Sequence, residues 1–392
     1  MKNAQKNVPS ILLIIVLIGF PQISESIFTP VLPALRTHLH VSSQTAQLTM
    51  STYFIAFAIG VLFWGTLSDK IGRRLAMLSG IVIYLSGNLG LYFAQDFNIV
   101  LLARLIQAFG ASSGSVITQT IMREAYIGTT RSKVFAKTGA AMSLAPALGP
   151  LIGGCAQTFF GYRSVFSTLI LIAILILLYT GFYLPETRKT VVKSTKIGML
   201  KILIRIMTDK TVLTYGLLVS GINGILFSYY AEAPFIFIEH FKMTSIQYGL
   251  IGIVIALSTI AGAMVINYYV LKFSKTFLVK KGLFIALLGT VGLIIAAVSN
   301  SMTGMIIATF FTFWGLNITL PITLELALVG YENIIGTASG LFSFLYYLVI
   351  SFFTYLMSLL HSGSIISLPI YVATLVILML IAYSIEVRSA IK

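Results

Sequence analysis

The sequence predicts an all-α integral membrane protein with twelve transmembrane helices in two six-helix, pseudo-symmetric bundles. Three observations carry that expectation. Of 392 residues, 58% are hydrophobic and 9% charged, with mean hydropathy +0.98, whereas soluble domains are about 25% charged. The apolar residues fall into twelve runs, each near the roughly 20 residues a helix needs to cross a bilayer. One long basic segment, ETRKTVVKSTKIGMLKILIRIMTDK at 186–210, divides the runs six and six.

The spans are read in order at 8–33, 44–67, 75–94, 98–122, 134–158, 163–184, 211–237, 247–271, 279–298, 302–328, 336–360 and 365–386. The first is too long for a signal-peptide core and lacks a small-residue cleavage site, so it is expected to be a retained helix. The domains follow: a first bundle over 1–185, a cytoplasmic linker over 186–210 and a second bundle over 211–392. With the N-terminus in the cytoplasm, 22 of the 26 Lys and Arg lie on the cytoplasmic side, with Arg36, Arg163 and Lys242 outside and Arg104 within span 4. That asymmetry is the positive-inside pattern and puts both termini in the cytoplasm. The four histidines, His38, His40, His240 and His361, fall at the outer ends. The net charge of +15 sits in short loops between apolar runs, which argues against nucleic acid as a partner. Cys155 is the single cysteine, which excludes an intrachain disulfide and a cysteine metal cluster. The halves also echo each other: FGASSGSV (109–116) aligns with WGLNITLP (314–321) at an offset of 205, and Thr29–Pro30 with Ala233–Pro234 at 204.

Charged residues inside the spans are the functional candidates. Glu25 lies within span 1, where a carboxylate costs roughly 2.5–3.5 kcal/mol or more at the bilayer centre. Gln22, Glu25, Ser26 and Thr29 recur at helical spacing and predict one polar stripe. Pro21, Pro30 and Pro33 interrupt the helix around it and free carbonyls that can line a cavity. Either the stripe faces a functional cavity, or Glu25 is paired permanently with a buried cation. Arg104 heads a similar face with Gln107, Ala111, Ser115 and Thr118 at a depth comparable to Glu25. It acts directly, or it orients the helix by bonding backbone carbonyls. Asn223, Tyr230 and Glu232 of span 7 complete the candidate proton-coupling and substrate site, although a water-reaching residue at the outer interface accounts for Glu232 equally well. Tyr229, Tyr230, Tyr346 and Tyr347 can stack on a flat cation, or serve in packing and the aromatic girdle. Glu325 is expected near the cytoplasmic surface.

Three motifs carry a family resemblance. The loop GTLSDKIGRR (65–74) has Gly65 for close helix approach, Gly72 for a tight turn, and Asp69 to pair with a basic neighbour such as Arg73 or Arg74. Placed between spans 2 and 3, it resembles the G-x-L-x-D-x-x-G-[RK]-[RK] signature of the major facilitator superfamily. LLARLIQAFGASSG (101–114) resembles that family's R-x-x-Q-G-x-G segment, with Arg104, Gln107 and Gly110 kept and Ala108 in place of the first glycine. APALGPLIGG (145–154) resembles the motif of drug–proton antiporters through Gly149, Pro150, Gly153 and Gly154, with Ala145 at the first glycine position. ESIFTPVLPAL in span 1, GYRSVF (161–166) and Arg123–Glu124 look most like the Bcr/CflA branch of multidrug exporters. The chain departs from the pattern at 272–281, KFSKTFLVKK, which keeps only the positive charges of the loop motif, and in having glutamate rather than aspartate in span 1.

The resemblance implies a multi-pass protein of the bacterial inner membrane. It implies a proton-coupled secondary transporter that exports small lipophilic or cationic compounds by alternating access. Glu25 would carry the proton. Asp69 with Arg73, and Glu124, would hold the cytoplasmic side closed in one state, and Arg123 belongs to the same gating motif. A dedicated metabolite or siderophore exporter, or an uptake symporter on the same fold, stays open. No phosphate-binding loop and no nucleophile–base constellation is present, so an enzyme is not expected. The expected partners are a small-molecule substrate, protons and the lipid bilayer, with no cofactor and no metal, in a monomer.

Overall fold

The computed structural model describes residues 8–188, 198–331 and 334–391. Fifteen α-helices run through them. Span 1 comprises α1 (Ile11–Ser26) and α2 (Leu32–His38), joined through a 3-10 turn at Thr29–Val31. Spans 2 to 4 are α3 (Ser43–Ile71), α4 (Arg73–Phe93) and α5 (Phe97–Ala125). Span 5 comprises α6 (Gly128–Met142) and α7 (Ala145–Phe160), and span 6 is α8 (Arg163–Tyr183). A short helix, α9 (Met199–Thr208), precedes span 7, which is α10 (Lys210–Pro234) continued by a π-helical turn over Phe235–His240. Spans 8 to 12 are α11 (Ser245–Tyr269), α12 (Lys275–Val298), α13 (Met302–Leu326), α14 (Ile335–Leu360) and α15 (Ser367–Ile391). Twelve of the helical segments among the described residues are long and apolar enough to cross a membrane.

Local chemistry explains the boundaries. Ser10, Ser42, Asp96, Asp209, Thr244, Ser274 and Ser301 each accept a backbone N–H at the start of a helix, satisfying donors that the first turn leaves unpaired. The first span runs to His38 rather than stopping at 33, because Pro30 and Pro33 fall in the first turns of the 3-10 segment and of α2, where a missing N–H costs nothing. Of the expected linker, residues 189–197 lie outside the described residues. Its later part is helical: α9 buries Ile202 and Ile206 against Val212, Tyr331, Leu341 and Phe342.

The packing repeats between halves. In the first half α4 packs on α5 and α8, α3 on α5, and α1 on α5 and α7; in the second, α12 packs on α13 and α15, α11 on α13, and α10 on α13 and α14. The halves meet chiefly through two helix pairs, α3 with α14 and α7 with α11. The glycines show the same repeat at atomic scale. A Cβ on Gly110 would strike the α4 backbone at Gly80 and Tyr84, and one on Gly315 would strike the α12 backbone at Gly282 and Ala286. Likewise Gly87 lies against Gln107, and Gly289 against Thr312. Removing Cβ at these positions lets two helices approach backbone to backbone. The short sequence match at an offset of 205 therefore marks a real structural repeat.

One motif glycine has a different role from the one expected. A Cβ at Gly65 would meet only Val116, at an ordinary 3.5 Å, so Gly65 is not what lets α3 approach α5. That position is Gly60, whose Cβ would run into Ser112 and the Phe109 carbonyl. Large apolar side chains such as Phe93, Leu175, Phe182 and Val298 point outward from the bundle, the pattern of a lipid-facing surface.

Candidate functional site

Glu25 sits in the last turn of α1 and is 2% exposed. Its Oε2 has no hydrogen-bond partner. Arg104 on α5 is fully buried, and each exerts an electrostatic influence on the other, yet no ion pair joins them. The guanidinium is committed elsewhere. Nη1 donates to Gln107 Oε1 at 2.6 Å, Nε to the Thr49 carbonyl at 3.4 Å and Nη2 to Met50 Sδ at 3.9 Å. The cation lies between two rings, 4.3 Å from the centroid of Phe28 and 4.4 Å from that of Tyr53. Gln107 passes the chain on, donating to Asn88 Oδ1 on α4.

Around these two groups lie further buried polar side chains, with Ser24 in hydrogen-bonding reach of Tyr53 and Tyr84, and Asn88 in reach of Tyr84. Polar groups gathered inside membrane-spanning helices mark a polar site and not packing alone. Tyr230, Tyr346 and Tyr347, from the other half, lie within the electrostatic reach of Glu25. The carboxyl group therefore lies near the seam between halves. An aromatic partition crosses that seam: Phe54 packs on Phe227 at 4.2 Å and Phe57 on Tyr347 at 4.7 Å. From Tyr346 and Tyr347 a cavity of about 390 Å³ runs between α3, α5 and α14 to Asp69, Arg123 and Glu124. The end it reaches, with the loops at 66–74 and 123–137, is the basic end of the molecule.

The predicted stripe on span 1 divides. Ser26 turns towards α7 and donates to the Gln22 and Ala145 carbonyls. Thr29 donates to the Ser26 carbonyl, because the 3-10 turn rotates it off the α1 face. Gln22 is half-buried. Of the four, Glu25 alone enters the Arg104 cluster. Asn223 also stays apart, bonding the Val219 carbonyl of its own helix at 2.9 Å. Tyr230 is buried at the seam with its hydroxyl unpaired.

Gly149 and Gly153 of the span 5 motif press α7 against Ser26, Ile27 and Pro30 of span 1. Gly154 meets the Ser245 backbone across the seam, where Gly249 and Gly252 of α11 meet the carbonyls of Pro150 and Pro146. The motif thus packs span 5 on span 1 and on span 8 at backbone distance.

At the basic end Arg73 bonds Asp69 at 2.6 Å and Glu124 at 2.6 Å. This network lies within the first half, and Arg123 does not join it but lines the cavity. Gly72, at φ 97°, caps α4 without a side chain. Glu186, from beyond span 6, supplies the cap instead, accepting from Arg73 N at 2.9 Å and Arg74 N at 3.1 Å. Partial burial works to raise the Glu186 carboxyl, but the backbone N–H groups of Arg188, Arg73 and Arg74 outweigh it and hold the group below the usual carboxylate value. Glu325 lies at this end too, in an exposed pair with Lys275 at 2.6 Å.

Glu232 belongs to neither cluster. It is 1% exposed at the opposite end, so it does not reach bulk water as an interface residue would. Its carboxylate accepts from Gln47 Nε2 on α3 and lies 2.8 and 2.9 Å from His361 Nδ1. Nearby, Arg36 pairs with Glu239 at 3.1 Å, with both side chains about one-third exposed (35% and 31%). An exposed pair of that kind contributes at most about 1 kcal/mol.

Sequence reasoning missed Tyr53, Asn88, Gln47, His361 and Glu186 as site residues. Asn88 is an amide in an apolar run, the signal that had drawn attention to Arg104, whereas Gln47 is hidden among the polar residues of SSQTAQLTMST (42–52). Nothing in the sequence pairs Glu186 with Gly72, which lies 114 residues before it.

Comparison with known proteins agrees with this architecture. The model of the Major Facilitator Superfamily matches residues 14–354. An uncharacterized transporter of Rickettsia felis is 33% identical over 353 residues, covering 87% of each chain. A chloramphenicol resistance protein of Pseudomonas aeruginosa is 25% identical over 318 residues, 80% of this chain and 75% of that one. The solved structure of a D-xylose-proton symporter shares the fold, with TM-score 0.76 over 94% of this chain and 96% of its own, at 14% identity. Loop motif, repeated helix packing and family model converge: the chain belongs to the Major Facilitator Superfamily.

Proposed function

We propose that this chain is a proton-coupled exporter of small lipophilic or cationic compounds, working as a monomeric antiporter in the bacterial inner membrane with its basic end and both termini in the cytoplasm. One observation carries the reading: Glu25 is buried inside a membrane span with an oxygen left unpartnered, while Arg104 spends its donors on other groups. A carboxylate kept only to fix helix packing would be paired with that cation. A charged carboxylate in an apolar surround is costly, and either a proton or a cationic substrate relieves the cost. The two therefore compete for one group, which is the elementary requirement of antiport.

In the cycle, substrate enters from the basic end through the cavity below Tyr346 and Tyr347 and displaces the Glu25 proton. The halves, 1–185 and 211–392, then rock on the α3–α14 and α7–α11 contacts. Exposure to the opposite side lets a proton return to Glu25 and releases the substrate. The flat faces of Tyr347 and Phe57 suit an aromatic cation. The span 5 glycine motif and the chloramphenicol resistance relative support export over uptake.

The test uses proteoliposomes with an imposed proton gradient and an internal pH-sensitive dye. Lipophilic cations should trigger proton movement in the wild type and none in Glu25→Gln. Proton movement that survives in Glu25→Gln, or that only an acidic metabolite triggers, would overturn the assignment.

A further inference from the structure

The geometry points to a second proton site at the end opposite the basic loops, formed by Glu232, His361 and Gln47, which latches the two halves together and releases them when it gains a proton. The inference builds on the proton-coupled reading but concerns a different group from Glu25.

The bridge joins elements of both halves. Gln47 is on α3, while Glu232 is on α10 and His361 follows α14. Gln47 Nε2 donates to the Glu232 carboxylate, and His361 Nδ1 lies within hydrogen-bond distance of both carboxylate oxygens. Gln44, one turn earlier on α3, donates to the His361 carbonyl at 2.9 Å. Ser351 on α14 donates to the Ser51 carbonyl of α3 at 2.7 Å and continues the seam inward. Opening this end requires the Gln47 bond to Glu232 to break.

The site is buried, yet a proton can reach it. Glu232 is 1% exposed, and His361 forms part of the wall of a cavity of about 260 Å³. The other charged or titratable groups facing that cavity are Arg36 and Glu239, which pair with each other, and His240, which bonds Asn300 at 2.8 Å. None of them bonds Glu232. An imidazole is the side chain whose ordinary charge change falls near neutral pH. It sits here against a carboxylate that also anchors the other half. The Gln47 bond draws its strength from the carboxylate's negative charge. A proton added to the carboxylate cancels that charge, and one added to the imidazole makes a cation that draws the charge towards itself and away from Gln47, so either weakens the bond across the seam. Gln47 Oε1 is buried without a partner, and the amide's other contact is Nε2 at 3.3 Å from His361 Nδ1, a ring nitrogen that cannot accept from the amide while it carries a proton. Acid on that side thereby favours opening on that side, which is the condition under which proton uptake and substrate release are useful.

The test measures the seam directly, without substrate. On a Cys155→Ser background, spin labels at Asn98→Cys and Thr303→Cys report the separation of the two halves at this end by electron–electron resonance. Between about pH 8 and about pH 5, where an imidazole changes charge, the label distance should lengthen. His361→Gln should abolish that pH response, and Glu232→Gln should hold the long distance at every pH. Gln47→Leu, which removes the bridge and leaves both titrating groups, should also hold the long distance, and it carries the test alone if His361→Gln does not fold. A distance that ignores pH in the background chain, a pH response that persists in His361→Gln, or a short distance in Gln47→Leu would overturn the proposal. Proton flux in the Glu25 experiment is read independently. A latch that fails while cation-triggered flux persists rejects this inference alone, and a latch that responds while flux is absent rejects the transport reading alone.

Discussion

Glu25 and Arg104 are both buried in the first half and influence each other electrostatically, but they form no ion pair. Arg104 is held between Phe28 and Tyr53 and bonded to Gln107, so its position does not depend on the carboxylate. The two groups therefore separate in mutation. Glu25→Gln resembles the protonated carboxyl in shape and charge and breaks no ion pair. It should leave the melting temperature in detergent unchanged or raised while removing proton coupling. A large fall in melting temperature would show that Glu25 is a structural group.

Arg104 should behave in the opposite way. Arg104→Ala strands the buried Gln107 Oε1, at a cost of about 1–3 kcal/mol for that group alone, and empties the space between two rings. Arg104→Lys keeps the charge but loses the planar fork that bonds and stacks at once. Thermal unfolding should order the chains as wild type, then Lys, then Ala. A lysine variant as stable as wild type would mean that charge alone is needed.

Glycine substitutions in α3 should reverse the expectation drawn from the loop motif. Gly60→Ala drives a methyl into Ser112 and the Phe109 carbonyl, and such overpacking costs about 1–3 kcal/mol. Gly65→Ala meets only an ordinary contact and should be tolerated. Melting temperatures of the two single variants decide the matter, and equal losses would refute the assignment of Gly60 as the contact point.

Glu186→Ala removes the cap of α4 and should cost about 0.5–2 kcal/mol, the usual worth of an N-terminal cap. The folded-state carboxyl lies below its ordinary value of 4.5. Its contribution is thus complete above that pH and disappears as pH falls through the lower folded-state value. Stability of wild type and Glu186→Ala should differ near neutral pH and converge in acid. Parallel curves throughout would rule out the carboxylate as the cap.

Much of the fold was legible because lipid restricts the choices. Only a closed set of backbone hydrogen bonds survives in a bilayer, so apolar run length alone located twelve spans, and the structure moves most ends by only a few residues. The larger shifts have local causes. Span 1 runs on to His38 because its prolines fall where helices begin, and α9 was missed because its apolar side is only ten residues long and lies within a basic segment. The candidate site was legible at Glu25, Arg104 and Gln107 for the same reason: polar groups in an apolar run are conspicuous. Their partners were not. Thr29 left the stripe when a 3-10 turn replaced the helical spacing, and Glu232 left the Glu25 cluster for the far end of its helix.

By itself the sequence determined that the chain spans a membrane twelve times, that its halves are related, and which residues carry charge into the apolar interior. These follow from periodicity and composition, which act locally along the chain. Only the tertiary structure decided that Arg104 bonds Gln107 and leaves Glu25 without an ion pair, that Glu186 caps α4, and that Gln47 and His361 meet Glu232. Each of these depends on helices distant in sequence coming within hydrogen-bond range. The approach is set by which glycines let two backbones touch, and a single chain read residue by residue does not specify which surfaces will meet.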